Sequence, residues 1–344
     1  MKSKKLWQFG KEMSRPRILC IGDLHYKHKN SKESLLLSNN LIEIANKEQP
    51  DLIVLMGDSH DSNNLIRTEV HVELTELMVA LENIAPLIVI IGNHDIPGPN
   101  HFLSSIHPFS PMKMWQNTRV VDSSPLVTEV KGKKFVFVPY VKPGRFQDAL
   151  DLCEWQNSDT IFCHQEFQGC IIEGMESSIG DPIKPDYPFI VAGHIHEHHY
   201  LTIDKIKRVL YVGTPRQVKI DESTYKTVSL LTYGDTIEEK RISTNLPLWI
   251  EKVIRVEDIS TVELPESGRV YIKIVGTFSK NQAATKSPEV KKWKERGFTV
   301  TYREIAEKKA YKQSTERSSF TSVCRKRIEG DAMLEELFEE IIQQ

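Results

Sequence analysis

Short apolar runs punctuate the first hundred residues at even spacing. Arg17 to Ile21, Asp51 to Met56 and Leu87 to Ile91 are rich in Ile, Leu and Val and too short for helices, as expected of strands buried in a parallel sheet. Between them lie longer stretches in helical register. Lys32 to Lys47 sets Leu35, Leu36, Leu41, Ile42 and Ile44 on one broad face, with Pro50 beyond its end, and Ile66 to Ile84 is a second predicted helix. Asp23, Asp58 and Asn93 follow the three runs at intervals of 35 residues. Strand, loop, helix, strand at constant spacing is the βαβ unit of a mostly parallel sheet.

Past Asn93 the pattern turns strand-rich. Lys134 to Pro139, Thr160 to Cys163, Phe189 to Ala192 and Val209 to Val212 are predicted strands, and Thr227 to Tyr233 is expected to form an edge hairpin with the last of them. The texture changes after Asn245. Trp249 to Val256, Arg269 to Gly276 and Phe298 to Arg303 are expected strands, and a helix opening at Ser287-Pro288 runs to about Arg296. The predicted organisation is α/β, with residues 1–244 as the main domain and 245–311 as a small α/β domain. Residues 312–344 form a linker (Tyr311 to Ser319 is polar) and a C-terminal segment of one or two helices, interrupted near Gly330.

Composition narrows the class. Hydrophobic residues make up 40% of 344 positions, which suits a globular protein with a sizeable core. No apolar stretch approaches the roughly 20 residues of a membrane span, so no membrane association is expected. The segment Met1 to Arg17 carries six basic residues without an apolar region, unlike a secretory signal. Five cysteines without a CxxC pair point to free thiols and an intracellular location. The net charge of −2 conceals an asymmetry: Lys280 to Arg327 holds 14 basic and 5 acidic residues, whereas Glu329 to Gln344 holds six acidic residues and no basic ones.

The candidate chemistry sits where the apolar runs stop. Asp23 and His25, Asp58, Asn93 and His94, His164, and His194 and His196 each follow a predicted strand. Singly these are weak, because a lone histidine is usually an ordinary surface or core residue. Jointly they place carboxylates, imidazoles and an amide at one sheet edge, where α/β proteins bind ligands. Such a set without thiolate can hold two divalent cations about 3.5–4 Å apart, with a shared carboxylate between them, and act on an anionic phosphoester.

Gly22-Asp23-Leu24-His25, Gly57-Asp58-Ser59-His60-Asp61, Gly92-Asn93-His94-Asp95, the strand-end His164 and Gly193-His194-Ile195-His196 together resemble the signature of calcineurin-like metallophosphoesterases over about residues 17–217. The resemblance implies a two-sheet core flanked by helices. It also implies that Asp23, His25 and His196 bind one metal, Asn93, His164 and His194 the other, and that Asp58 bridges them. His94 would contact the phosphate and protonate the leaving oxygen, with Asp61 or a backbone carbonyl as the acceptor that orients it. His60, His198 and His199 match no ligand position and are read as ordinary loop histidines.

Within that superfamily the chain is most similar to the SbcD-like nuclease subunit of the double-strand-break repair complex, through His164-Gln165, Gly193-His194-Ile195-His196-Glu197 and Tyr211-Val212-Gly213-Thr214-Pro215. Its shortness resembles phage or viral versions. The resemblance implies a manganese-dependent DNA exonuclease or endonuclease, with the small domain as a DNA-capping domain. It further implies a homodimer built on Ile66 to Ile84 and His101 to Trp115, and docking of the C-terminal helical segment on an SbcC-like coiled-coil ATPase. The basic stretch would contact the DNA backbone. A stand-alone metallophosphatase acting on nucleotides or phosphoproteins is the alternative.

Overall fold

Each of the first three strands carries two apolar faces, and each face has a different layer to cover it. The computed structural model describes residues 15–62, 65–98, 101–266, 268–305 and 320–342. It begins β1 (Arg17–Ile21), α1 (Ser31–Glu48), β2 (Leu52–Leu55), α2 (Thr68–Glu82) and β3 (Leu87–Ile90), followed by β4 (Thr118–Val121). These four strands run parallel in the order of the chain. Leu19, Ile53, Leu55, Leu87 and Val89 pack against Leu37 and Leu41 of α1 and Leu74, Leu77 and Met78 of α2. Their neighbours Ile18, Cys20, Leu52, Val54, Ile88 and Ile90 point the other way, into the second sheet.

That second sheet is built from the hairpin β5 (Leu126–Val130) and β6 (Lys133–Val138), then α3 (Phe146–Leu150), β7 (Thr160–Cys163), the small separate hairpin β8 (Ile171–Ile172) and β9 (Met175–Glu176), β10 (Phe189–Ala192), β11 (His199–Ile203) and β12 (Ile206–Tyr211). Its order is β11-β12-β10-β7-β6-β5, with the four central strands parallel and the two edge strands antiparallel. Phe135, Phe137, Phe162, Val191 and Leu210 face the first sheet, and the other face packs on Phe146 and Leu150 of α3. The architecture is two mixed sheets face to face with helices outside.

The expected hairpin between residues 209–212 and 227–233 does not form. The strand β13 (Thr227–Tyr233) crosses to the first sheet, pairing antiparallel with β1 and with β14 (Ile237–Ser243). Set between β1 and β14, six of its seven residues are buried. The strands β4, β5, β8, β9, β11 and β14 are additions to the sequence reading.

After Asn245 come β15 (Trp249–Arg255), β16 (Arg269–Gly276), α4 (Phe278–Ala284), α5 (Pro288–Glu295) and β17 (Thr299–Glu304). The three strands form their own parallel sheet, in which Val270, Ile272 and Ile274 alternate inward onto Ala284, Val290, Trp293 and Phe298. Ser287 caps α5 through its hydroxyl and Pro288 fills the first turn, as the sequence predicts; α4 is an addition to that reading. Two helices follow, α6 (Phe320–Ile328) and α7 (Ala332–Ile342), with Gly330 at φ 96° between them. The expected linker from 311 to 319 and most of the basic N-terminal segment lie outside the described residues.

Candidate metal centre and active site

β1, β2 and β3 of the first sheet and β7 and β10 of the second end at one common edge, so their polar successors meet there. Asp23, His25, Asp58 and His164 are buried, and Asn93, His94, His194 and His196 are partly so. Two groups form: ligand atoms of Asp23, His25 and His196 lie within 4.8 Å of one another, and so do those of Asp58, His164 and His194. Asn93 belongs with the second, its Oδ1 lying 3.0 Å from His164 Nε2 and 2.9 Å from His194 Nδ1. One oxygen of Asp58 faces both groups, 3.3 Å from His164 Nε2 and 4.0 Å from His25 Nε2.

Local backbone makes this crowding feasible. His25, Asp58 and His194 all adopt positive φ, turning their side chains off the strand axis into the shared edge. Two glycines let the loops touch: a Cβ on Gly57 would sit 2.2 Å from His164 Nδ1, and one on Gly92 would sit 2.2 Å from Asp58 Oδ1. Second partners fix the rings. His164 donates from Nδ1 to the Met56 carbonyl at 2.7 Å, leaving Nε2 for the cavity, and the Asp23 carboxylate accepts from the His194 main-chain N–H at 3.1 Å.

His94 stands beside both groups. Its main-chain N–H donates to Asp58 Oδ1 at 2.7 Å, and its ring Nδ1 donates to the main-chain carbonyl of Asp61 at 2.8 Å. The orienting atom on Asp61 is thus its carbonyl and not its carboxylate, which faces Lys27 Nζ at 3.0 Å and His25 Nδ1 at 3.5 Å instead. The site opens into a cavity of about 780 Å³ lined in part by Ile171 to Gly174 of the β8–β9 hairpin and by Val218, Lys219 and Asp221 to Ser223, the two segments being joined by a Lys219–Glu173 ion pair.

Comparison with known proteins fits this geometry. Residues 16–211 match the calcineurin-like phosphoesterase family. The chain belongs to that family. It is 30% identical over 271 residues to phosphoesterase 244L of Invertebrate iridescent virus 6, covering 76% of this chain and 94% of the viral protein. Phosphoesterase 078R of Invertebrate iridescent virus 3 is 28% identical over 340 residues, covering 95% of this chain and 96% of its own. A more distant relative, the DNA double-strand break repair protein Mre11 of Sulfurisphaera tokodaii, is 24% identical over 221 residues, covering 61% of this chain and 56% of its own.

Members of this calcineurin-like family use divalent metals, and the electrostatics of the site suit them. Burial drives the Asp23 carboxyl above its ordinary range. Burial also acts to raise Asp58, but His164, His25 and His94 outweigh it and hold that carboxyl well below the usual range. Burial opposes charge on His164, yet Asp58 and Asp23 push it up to about 10, while burial and His164 itself push His194 down to about 3. The carboxyls of Asp23 and Asp58 thus favour positive charge at this edge. Divalent cations at the two groups would occupy that edge with nitrogen and oxygen donors already in place.

Three residues of this phosphoesterase site have roles that the sequence reading does not assign. Asp95, next to His94, lies outside the expected ligand set. It is fully enclosed, accepting from Gly92 N at 3.0 Å and His60 N at 3.2 Å and so tying the loops after β2 and β3 together; burial and Asp58 push it up to about 7. His60 is no ordinary loop residue: it is buried, stacked on Phe109, with Nε2 3.4 Å from His71 Nδ1. Glu222 accepts from His196 Nδ1 at 2.7 Å. No apolar run precedes Glu222, so no strand-end signal could have marked it.

Proposed function

We propose that the protein is a metal-dependent DNA nuclease that hydrolyses phosphodiester bonds with two divalent cations, Mn2+ being the assignment for this donor set. The observation that carries the reading is the paired ligand groups facing one Asp58 oxygen, with His94 alongside. Ions bound there would polarise the phosphate oxygens and supply a hydroxide near neutral pH. His25, His196, His164 and His194 would supply ring nitrogens as donors to those ions. His94, held through Nδ1, leaves Nε2 to bring a proton to the departing alkoxide. The relatives named as Mre11 favour a DNA substrate in break repair or recombination, and the cavity has room for nucleotides flanking a scissile phosphate.

The assembly proposed with it is a homodimer on α2 and residues 101–115, where Val72, Val79, Ile106 and Met114 are exposed, and an SbcC-like ATPase subunit seated on α7. The small β15–β17 unit would cap the DNA, presenting Lys291, Lys292 and Lys294 on the exposed face of α5. An intracellular setting suits five free cysteines, and among the described residues no helix is long and apolar enough to cross a membrane.

The viral relatives that cover most of the chain are named simply as phosphoesterases, a name that also admits the alternative of a stand-alone phosphatase on nucleotides or phosphoproteins. One assay separates the two: Mn2+-dependent cleavage of linear and hairpin DNA, with nitrophenyl phosphate as control. Turnover of the monoester without any cleavage of DNA would reject the nuclease.

A further inference from the structure

Residues 217–226 leave the second sheet, form one wall of the cavity and return to the first sheet at β13. Their contacts reach in two directions. Inward, Glu222 Oε1 accepts from His196 Nδ1 at 2.7 Å, and the same carboxylate is held on its other oxygen by Val218 N at 2.9 Å and Lys226 Nζ at 3.0 Å. Lys226 is itself buried and donates to the main-chain carbonyl of His196 at 3.2 Å, so the histidine is gripped at ring and backbone together. Outward, Gln217 Oε1 accepts from Trp249 N at 2.8 Å, and its Nε2 donates at 3.3 Å to both the Trp249 carbonyl and the Glu222 carbonyl. Trp249 is the first residue of β15, and its indole donates to Glu33 on α1 at 2.8 Å.

We infer that Glu222 is a positioning residue for His196, and that the 217–226 segment links the seating of the β15–β17 unit to the metal group of Asp23, His25 and His196. The inference rests on the reading that this group holds one of two cations. A carboxylate on the far nitrogen of a ligating imidazole fixes its tautomer and ring direction and makes it a better donor; loss of such a partner costs roughly 10–100-fold in metal affinity. Asn93, His164 and His194 do not touch this segment through any hydrogen bond described, so the effect should fall on one group alone. Gln217 contacts no ligand. Removing it should act only by loosening Glu222 and the docking of Trp249.

The test is calorimetric titration of the metal-free full chain with Mn2+, using His25→Ala to identify which binding event belongs to the Asp23 group. In Glu222→Ala that event should weaken roughly 10–100-fold while the other is unchanged. Glu222→Gln should lose less, since its amide oxygen still accepts from His196, and Gln217→Ala should weaken the same event several-fold. Both events unchanged, or both weakened alike in Glu222→Ala, would overturn the positioning role. An unchanged Gln217→Ala would overturn the link to the small unit. If the alanine variant does not fold, judged by circular dichroism without metal, the isosteric Glu222→Gln decides. A wild-type chain binding one ion or none would fail the two-ion reading and this inference with it, whereas two wild-type events untouched by either Glu222 change fail this inference alone.

Discussion

Leu37 and Leu41 of α1 and Leu74 and Met78 of α2 recur at helical spacing and are completely buried against the first sheet. Met333, Leu334, Leu337 and Ile341 of α7 recur at the same spacing and are 46–82% exposed. The helical period says that a face is apolar; it does not say what covers it. In the sandwich, three apolar layers interlock, each strand sharing its residues between two of them. At the C-terminus, α7 meets α6 through an Arg325–Glu339 ion pair at 2.8 Å, in which both side chains are exposed and which contributes little stability. One region completes itself; the other presents a surface. Chemistry and folding should therefore respond to changes in the first region and not in the second.

The change expected to have the largest effect strikes the atom both ligand groups share. Asp58→Ala should eliminate both Mn2+ binding events and bring hydrolysis down to background, while the helical signal of α6 and α7 persists. His25→Ala should weaken one event only. Two tight events surviving in Asp58→Ala would show that the groups do not share this carboxylate. Next comes His94→Ser. It should leave metal binding intact and reduce phosphodiester cleavage by roughly 10²–10⁴, about 3–5 kcal/mol of barrier. The loss should be smaller on a nitrophenyl ester, whose leaving group departs without a proton. Equal losses on both substrates would make His94 a phosphate-positioning group.

The strand-end rule reads well on the sandwich because βαβ connections are short and local, so Asp23, Asp58 and Asn93 announce themselves by spacing alone. His164 and His194 were legible because each ends a buried run in the second sheet. Long-range pairing was not. The exchange of β13 into the first sheet depends on which partner buries both of its faces, a tertiary choice that leaves no local mark. The same holds for Glu222, whereas for Asp61 the residue was legible and only the choice between its carboxylate and its main-chain carbonyl was left to the fold. His60 was misread because its burial comes from Phe109, 49 positions along the chain.

A smaller effect should test whether the sandwich is held at its own edge. Glu239 of β14 accepts from His198 at 2.8 Å and from Tyr200 at 2.7 Å, both at the β11 edge of the second sheet, and from Ser229 at 2.6 Å. Burial acts to raise this carboxyl, but those three partners hold it at about 2, below its ordinary 4.5. A depressed carboxylate stabilises the fold above its unfolded pKa, and the contribution is lost as pH falls from about 4.5 towards 2. Glu239→Gln should thus cost up to roughly 3 kcal/mol at pH 7 and flatten the acid limb of stability between those values. An unchanged limb in chemical denaturation would mean that the two sheets do not depend on this contact.

The smallest effect on the protein itself should come from α7, where the comparison is sharpest. Leu337 is 53% exposed, so replacing it with aspartate removes little burial, and such surface changes usually stay within about 0.5 kcal/mol. Phe338 beside it is only partly covered. Changing both Leu337 and Phe338 to aspartate should shift Tm by no more than about two degrees and leave Mn2+-dependent turnover of nitrophenyl phosphate intact. The proposed binding to an ATPase subunit should be lost, because a helix seated in an apolar groove depends on such anchors. The sequence around them argues in the same direction. Glu335, Glu336, Glu339 and Glu340 line the rest of α7 with no basic residue among them, so a groove rimmed by Lys or Arg would complement it. If the double change instead drops Tm by many degrees, the apolar face is covered by the chain's own surface, and α7 belongs with the sandwich.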